Sequence, residues 1–262
     1  MRVPGSLRVV LAIAFYCATG MACASSAAAD EVIVAVTSTF YGTLKSLQPD
    51  FELATGHSLT IVNGSTPQLA SQIENGAPYD VFLAGDDTTI RPLVESGLAV
   101  ARTEFVYAIG MLALYSPAPG LSGDALTGMV RQSGLAHLAM ADPAHDPYGA
   151  AAQSTLHALG VDEKSDASSA LLRESVDEVF TALETQTAEL AFLPFSRVLD
   201  PSSGSNGSYW IVPSSMHQPI RKSVVLLDRA KDNKGARDFL DYLRSPGVQL
   251  TIEAAGYEFP NS

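Results

Sequence analysis

Small hydroxyl residues recur where the predicted helices begin. Ser38-Thr39 follows the first apolar run, Ser65-Thr66-Pro67 follows the second, and the segments 147–149 and 175–178 open two later helices. Ser and Thr are preferred N-caps, and Pro suits the first helical position. A helix start offers unpaired N–H groups and a partial positive charge, so it attracts anions. Several starts that meet in one cleft could hold a dianion through neutral donors. Capped helices occur in every α/β protein, however, so a purely structural role fits the same residues.

The elements that must position these segments alternate between strand and helix. Three strands, each followed by a helix, are predicted over residues 32–96, and the same order resumes from residue 124. The apolar stretch 105–115 predicts two consecutive strands that cross between lobes at Gly110. Helices return at 234–243 and 246–255. This order favours an α/β fold with two lobes, each a mainly parallel sheet flanked by helices, joined by two strands. Ligands of such folds bind at the carboxyl ends of strands, here between the lobes.

The amino terminus has the features of a secretory signal peptide. Arg2 and Arg8 precede an apolar run, and the alanines of residues 27–29 fit a cleavage site. We therefore predict a leader over residues 1–29, a first lobe over 30–108 and 215–262, and a second lobe over 109–214. The protein would be periplasmic. An uncleaved anchor and a lipid on Cys23 are alternatives.

Composition excludes several function classes. The chain has 16 Lys+Arg against 28 Asp+Glu, a net charge of −12, which disfavours nucleic acid and anionic membrane surfaces as partners. Cys17 and Cys23, the two cysteines, both lie in the predicted leader, so a processed chain would have no disulfide or thiolate site. We expect a monomer without a cofactor.

The sequence has none of the common catalytic motifs. It has no H-E-x-x-H, no G-x-S-x-G and no phosphate-binding G-x-x-x-x-G-K. Asp142, His145 and Asp146 come nearest to a metal cluster, but they precede a helix, where Asp commonly caps. A secreted enzyme on the same scaffold would have Asp86 and His145 as its candidate groups. We expect that the protein is not an enzyme.

From Val32 to Pro260 the sequence resembles the periplasmic molybdate-binding proteins of ABC transporters. The segment 34–40 is similar to the family's opening strand and anion-binding turn, and Gly64-Ser65-Thr66 is similar to its second turn. The segment 72–86, QIENGAPYDVFLAGD, is the most distinctive match. The resemblance implies a two-lobed type II periplasmic-binding fold that closes on its ligand. It also implies a membrane ABC permease as partner.

Carried over motif by motif, the resemblance implies six contacts with the oxyanion. They come from both lobes: Ser38, Thr39, Ser65, Thr66, Tyr148 and Val176. Tyr148 and Val176 would donate mainly through backbone N–H groups. The sequence departs from the family at Pro67, which has no N–H, and at Pro194, where one branch has a Tyr. Phe195 or Ser196 would have to replace that contact.

The resemblance and the donor pattern together predict molybdate or tungstate as the ligand. Both anions are fully deprotonated at neutral pH, which suits a site of neutral donors without basic side chains, whereas phosphate keeps a proton. Sulfate is smaller and would leave stretched contacts. A binder of another oxyanion such as sulfate is the nearest alternative. A partner-binding module that has lost its ligand is a further one.

Overall fold

The structure is a computed structural model that describes residues 29–133, 135–161, 170–200 and 206–260. The predicted leader lies outside these ranges apart from Ala29, and so do both cysteines. Within the described ranges, no helix is long and apolar enough to cross a membrane.

The described residues form two β-sheets with helices packed on them. The strands are β1 (Glu31–Thr37), β2 (Ser58–Gly64), β3 (Val81–Leu83), β4 (Phe105–Gly110), β5 (Leu112–Ser116), β6 (Leu138–Ala141), β7 (Leu171–Arg173), β8 (Leu190–Pro194), β9 (Ser208–Ile211), β10 (Ile220–Leu226) and β11 (Tyr257–Glu258). The helices are α1 (Ser38–Thr55), α2 (Thr66–Glu74), α3 (Ile90–Glu95), α4 (Gly123–Ser133), α5 (Pro147–Ala158), α6 (Val176–Glu184), α7 (Phe195–Leu199), α8 (Lys234–Arg244) and α9 (Pro246–Ala254). The sequence did not predict α7 or β11.

Both sheets contain antiparallel pairs, but most strands of each sheet run in one direction, so the prediction of mainly parallel sheets is confirmed. The six-stranded sheet has the order β11-β4-β10-β3-β1-β2, and the five-stranded sheet has the order β7-β6-β8-β5-β9. Strands β1, β2 and β3 are parallel neighbours, whereas β10 pairs antiparallel with β3 and β4. In the second sheet β6 is parallel to β7 and β8, and β5 is antiparallel to β8 and β9. The α/β class is confirmed.

The chain passes between the two sheets twice. The first passage is at Gly110, because β4 ends there in the first sheet and β5 begins at Leu112 in the second. This is the crossing point that the sequence predicted. The chain returns between β9 and β10. The lobe boundaries at residues 108 and 214 stay a prediction.

Aromatic packing fixes the position of helix α1. Its buried residues Phe40, Leu44, Leu47 and Phe51 recur at spacings of three and four, so they lie on one face of the helix. Near the helix start, the ring of Phe40 meets Tyr107 at 4.7 Å and Tyr257 at 5.3 Å between centroids. Burying each of these large apolar side chains stabilises the fold by about 1.5–3 kcal/mol. The first turn of α1 is therefore held rigidly at the end of β1.

Candidate functional site

The first turn of α1 is an open helix start. Strand β1 runs into α1 without a loop, and the capping residue Thr37 makes no side-chain hydrogen bond to the helix. The first turn also has no acidic side chain to offset the helix dipole. Ser38 and Thr39 are half-buried there. Among the described residues, the Ser38 hydroxyl has no hydrogen-bond partner. The backbone amides of this turn and the Ser38 hydroxyl are therefore available to an anion.

Thr39 is held at both its side chain and its main chain. The ammonium of Lys222 donates to Thr39 Oγ1 at 2.7 Å, and the hydroxyl of Tyr257 donates to the carbonyl oxygen of Thr39. A threonine hydroxyl has one proton to give and lone pairs that accept. Because the lysine occupies a lone pair, the Thr39 proton is free to be donated elsewhere.

Thr66 is arranged in the same way at the second turn. It is buried, and its Oγ1 accepts a hydrogen bond of 2.9 Å from the backbone N–H of Gly85. A side chain at Gly85 would meet Thr66 Oγ1 at 2.9 Å and Thr37 Oγ1 at 3.0 Å. The carboxyl ends of β1, β2 and β3 therefore converge, and the second turn lies beside the start of α1. Ser65 is exposed, and its hydroxyl caps α2 by accepting from Gln68 N at 3.4 Å.

The start of α5 differs from the expectation. The amides of Tyr148 and Gly149 donate to Asp146 Oδ1 at 2.7 and 3.3 Å. The Tyr148 amide that was expected to face the anion is thus bonded to a carboxylate of its own chain. The Tyr148 hydroxyl is buried and has no partner among the described residues. Its contact with an anion stays a prediction.

Val176 begins α6 as predicted. The hydroxyl of Ser175 accepts from Glu178 N at 3.3 Å, and Glu178 Oε2 accepts from Glu174 N at 3.2 Å. This arrangement is close to a capping box, although the carboxylate bonds to the amide of Glu174 and not to that of Ser175. Asp177 and Glu178 place two acids in the first turn of the helix.

A cavity of about 720 Å³ lies between elements of the two sheets. Ser38 and Thr39 line it from α1, Val176 from the start of α6, and Ser196 from α7. Ser65, Thr66 and Tyr148 are not part of its lining. The cavity therefore brings together three of the six predicted contact residues. At the position where the family's Tyr was expected, Pro194 and Ser196 line the wall.

Lys45 and Arg197 line the cavity and Lys222 stands behind its wall, so the expectation of a site without basic side chains is wrong. Lys222 is fully buried on β10, and its ammonium lies 5.1 Å from the centre of the Tyr148 ring. Burial lowers the pKa of Lys222 to about 8, and the carboxylates of Asp146 and Asp86 oppose that shift. The sequence contained one signal for the burial of Lys222. Neighbouring residues of a strand point to opposite faces, so an exposed Arg221 implies that Lys222 points inward.

The residues that the sequence offered for a metal site or a catalytic site contact backbone amides or one another. The carboxylate of Asp86 accepts from the amides of Thr88 and Thr89 at 2.9 and 2.7 Å, just before α3. His145 is exposed and lies 3.0 Å from Asp142 Oδ2. Within the described ranges, no group of three or more His, Cys, Asp or Glu is arranged to hold a metal ion.

Comparisons with known proteins give one consistent family. Residues 32–258 match the family described as bacterial extracellular solute-binding protein. The molybdate-binding protein ModA of Azotobacter vinelandii is 39% identical over 237 residues, which cover 90% of this chain and 92% of that protein. ModA of Rhodobacter capsulatus is 35% identical with the same coverage.

Solved structures agree with the sequence comparison. The periplasmic molybdate-binding protein of Azotobacter vinelandii matches with a TM-score of 0.78 at 31% identity, covering 88% of this chain and 100% of that one. The sulfate-binding protein SubI from Mycobacterium tuberculosis matches with a TM-score of 0.67 at 11% identity, covering 87% of this chain and 86% of that one. The second likeness is one of fold alone.

Proposed function

The chain belongs to the family of bacterial extracellular solute-binding proteins, and on that premise we propose that it captures molybdate or tungstate between its two sheets. The anion would be delivered to a membrane ABC permease. The relatives that are 39% and 35% identical are named as molybdate-binding proteins, which supports this choice of ligand. We propose a periplasmic location after export by the leader of residues 1–29.

The observation that carries the proposal is that the hydroxyls of Thr39 and Thr66 are both left as hydrogen-bond donors. Thr39 Oγ1 accepts from Lys222, and Thr66 Oγ1 accepts from the amide of Gly85. Each hydroxyl is left with a proton to donate. Thr39 lines the cavity, and Thr66 is buried beside the end of β1. A site made of donors fits an oxyanion whose oxygens are all acceptors. Molybdate and tungstate meet this condition at neutral pH, whereas phosphate carries a proton that needs an acceptor.

Closure of the cleft would complete the site. The cavity is far larger than a tetrahedral oxyanion, and Val176 lines it from the element opposite Ser38. A hinge motion about the two passages between the sheets would bring the start of α6 towards the start of α1. The bound anion would favour that closed state, because it would contact both sides only there.

Competition binding tests the ligand. We expect isothermal titration to show molybdate binding, tungstate to compete about equally, and sulfate and phosphate to compete weakly. Molybdate and tungstate are near-equal in size and charge, so the cavity has little means to separate them. Displacement of molybdate by sulfate at equal concentration would make the sulfate-type alternative correct. A chain that binds none of the four anions would refute the proposal.

A pair of serine substitutions on one helix tests the site. Ser38→Ala should weaken molybdate binding by about 1.5–3 kcal/mol, the usual worth of a hydrogen bond to a charged group. Ser46→Ala is the matched control, because Ser46 lines the same cavity from α1 but its hydroxyl donates to Thr43 O at 2.7 Å. Equal affinity of the two variants would place the anion away from the start of α1.

A further inference from the structure

A fully buried lysine occupies an unusual place in this fold. Lys222 lies on β10, next to the point where the chain re-enters the first sheet. Its ammonium donates to Thr39 at the start of α1 and faces the ring of Tyr148 at the start of α5. These two helices belong to different halves of the molecule. The positive charge therefore lies between two segments that were expected to contact the anion.

The lysine is not neutralised by an ion pair. Among the described residues, no carboxylate oxygen lies within 4 Å of its ammonium. Asp86 and Asp146 act on it only from further away, and both are bonded to backbone amides. A buried cation without a paired anion lowers the stability of a fold. Thr39 accounts for one of the three ammonium protons. Stabilisation of the fold does not explain why the charge is there, and an anionic ligand would.

The contact with Thr39 gives the ammonium a route to the ligand. Lys222 does not line the cavity, whereas Thr39 does. By donating to Oγ1, the ammonium turns the Thr39 proton away from itself, and its charge makes that proton a stronger donor. The bond from Tyr257 to the carbonyl oxygen fixes the same residue from the other side.

We propose that Lys222 is a positioning residue for the oxyanion, which holds the Thr39 hydroxyl as a donor and supplies a buried positive charge that anion binding requires. This inference rests on the proposed function, since it concerns the same site. It makes anion capture dependent on the protonation of one lysine.

The groups that surround the ammonium fix the sign of the pH dependence. Asp86 follows β3, Asp146 and Tyr148 lie at the start of α5, Tyr107 is on β4 and Tyr257 on β11. Burial raises the pKa of Tyr107 and Tyr148 well above the ordinary value and that of Tyr257 to about 12, so these hydroxyls stay neutral in mild base. Lys222, with its pKa lowered to about 8 by burial, loses its charge above that pH. Molybdate has no proton to lose in this range. Affinity should therefore fall as the pH rises through 8.

The test is isothermal titration with sodium molybdate at pH 7 and pH 9.5. Only a few per cent of a group with a pKa near 8 stays protonated at pH 9.5, so the wild-type affinity should fall by at least about tenfold. K222M should bind about 10- to 100-fold more weakly at pH 7, the loss expected for a charge-assisted hydrogen bond, and should show no pH dependence. K222R keeps its charge, and its affinity should not change between the two pH values. K231M removes an exposed lysine that does not line the cavity and should keep the wild-type profile.

The outcomes separate this inference from the proposed function. A wild-type chain that binds no molybdate at pH 7 defeats the proposed function. A wild-type chain that binds equally at both pH values, or a K222M variant with wild-type affinity, overturns the role of Lys222 alone. Thermal melting controls for folding, and K222M should melt no lower than wild type because it removes an unpaired buried charge. If K222M does not fold, the wild-type, K222R and K231M profiles decide.

Discussion

The contact between Gly110 and Tyr148 allows a quantitative test of the packing at the point where the chain first passes between the sheets. A side chain at Gly110 would place its Cβ 2.4 Å from the Tyr148 hydroxyl oxygen, 2.9 Å from Tyr148 Cζ and 3.1 Å from Ile220 Cγ2. Ordinary contacts begin near 3.4 Å, so Gly110→Ala requires a movement of roughly 1 Å in a packed region. Gly110 is not among the glycines with positive φ, so the penalty is steric rather than conformational. Overpacking of this kind destabilises by about 1–3 kcal/mol.

Removing the Tyr148 hydroxyl should have the opposite effect. That oxygen is buried and has no partner among the described residues, so it was desolvated without a compensating hydrogen bond. Tyr148→Phe should stabilise the fold by about 1 kcal/mol, the low end of the usual desolvation penalty. In the double variant the closest atom becomes Cζ at 2.9 Å, so the clash is relieved in part. The two substitutions should couple favourably by about 1 kcal/mol.

Thermal and urea unfolding of the four proteins measure this cycle. For a chain of this size, 1 kcal/mol corresponds to a Tm shift of roughly 2–4 °C. Gly110→Ala should melt lower, Tyr148→Phe higher, and the double variant higher than the sum of the single shifts. Strictly additive shifts would mean that the two groups do not meet. A Tyr148→Phe variant that melts lower than wild type would mean that its hydroxyl has a partner in solution. Tyr148→Phe should bind molybdate almost as wild type does, because Tyr148 does not line the cavity.

Two further substitutions test charges near the site and far from it. Asp146→Asn keeps an oxygen that can cap α5 but removes a carboxylate that raises the pKa of Lys222. In molybdate titrations over a pH series, the affinity should therefore begin to fall at a lower pH than in wild type. An unmoved midpoint would show that Asp146 does not act on Lys222. At the other end of the molecule, the hydrogen bond from Lys234 and then the contact with His57 lower the pKa of Asp238. The ionised Asp238 therefore stabilises the folded state at a pH above its ordinary pKa near 4, and this contribution is lost as the pH falls below that value. Asp238→Asn should flatten the acid side of the stability curve in urea unfolding, and an unchanged acid limb would contradict this.

Local patterns in the sequence were enough to predict most elements. The cap at Ser175 and the passage at Gly110 depend on residues that are adjacent in the chain, and the structure has both. The cap of α2 was expected at Thr66, but it is Ser65, one residue earlier. The mixed direction of the sheets was not predictable in this way. Strand β10 pairs with β3 and β4, more than one hundred residues earlier, and periodicity carries no information on such partners. Helix α7 was missed because its five residues are too few to show a helical period.

Half of the residues predicted for the candidate site lie together in one cavity, whereas the charges around it were not predicted. Ser38, Thr39 and Val176 line one cavity, as their positions at helix starts suggested. Lys222 and Asp146 were not assigned to it, because each acts through a contact that exists only after folding. Lys222 reaches α1 across 183 residues of sequence. Asp146 occupies amides that the sequence left free.

The neutral hydroxyl of Thr39 at the cavity wall and the buried ammonium of Lys222 behind it have separate tasks. The hydroxyl at the wall sets the geometry and donates one directed bond, which fits an unprotonated oxygen and excludes a proton on the ligand. The charge behind it supplies attraction in a region of low dielectric, where it is little screened by salt. A chain with a net charge of −12 gives a dianion no long-range attraction, so the free energy of capture has to come from contacts made inside the cleft. In that setting, the buried ammonium of Lys222, which faces both helix starts, adds positive charge directly behind Thr39.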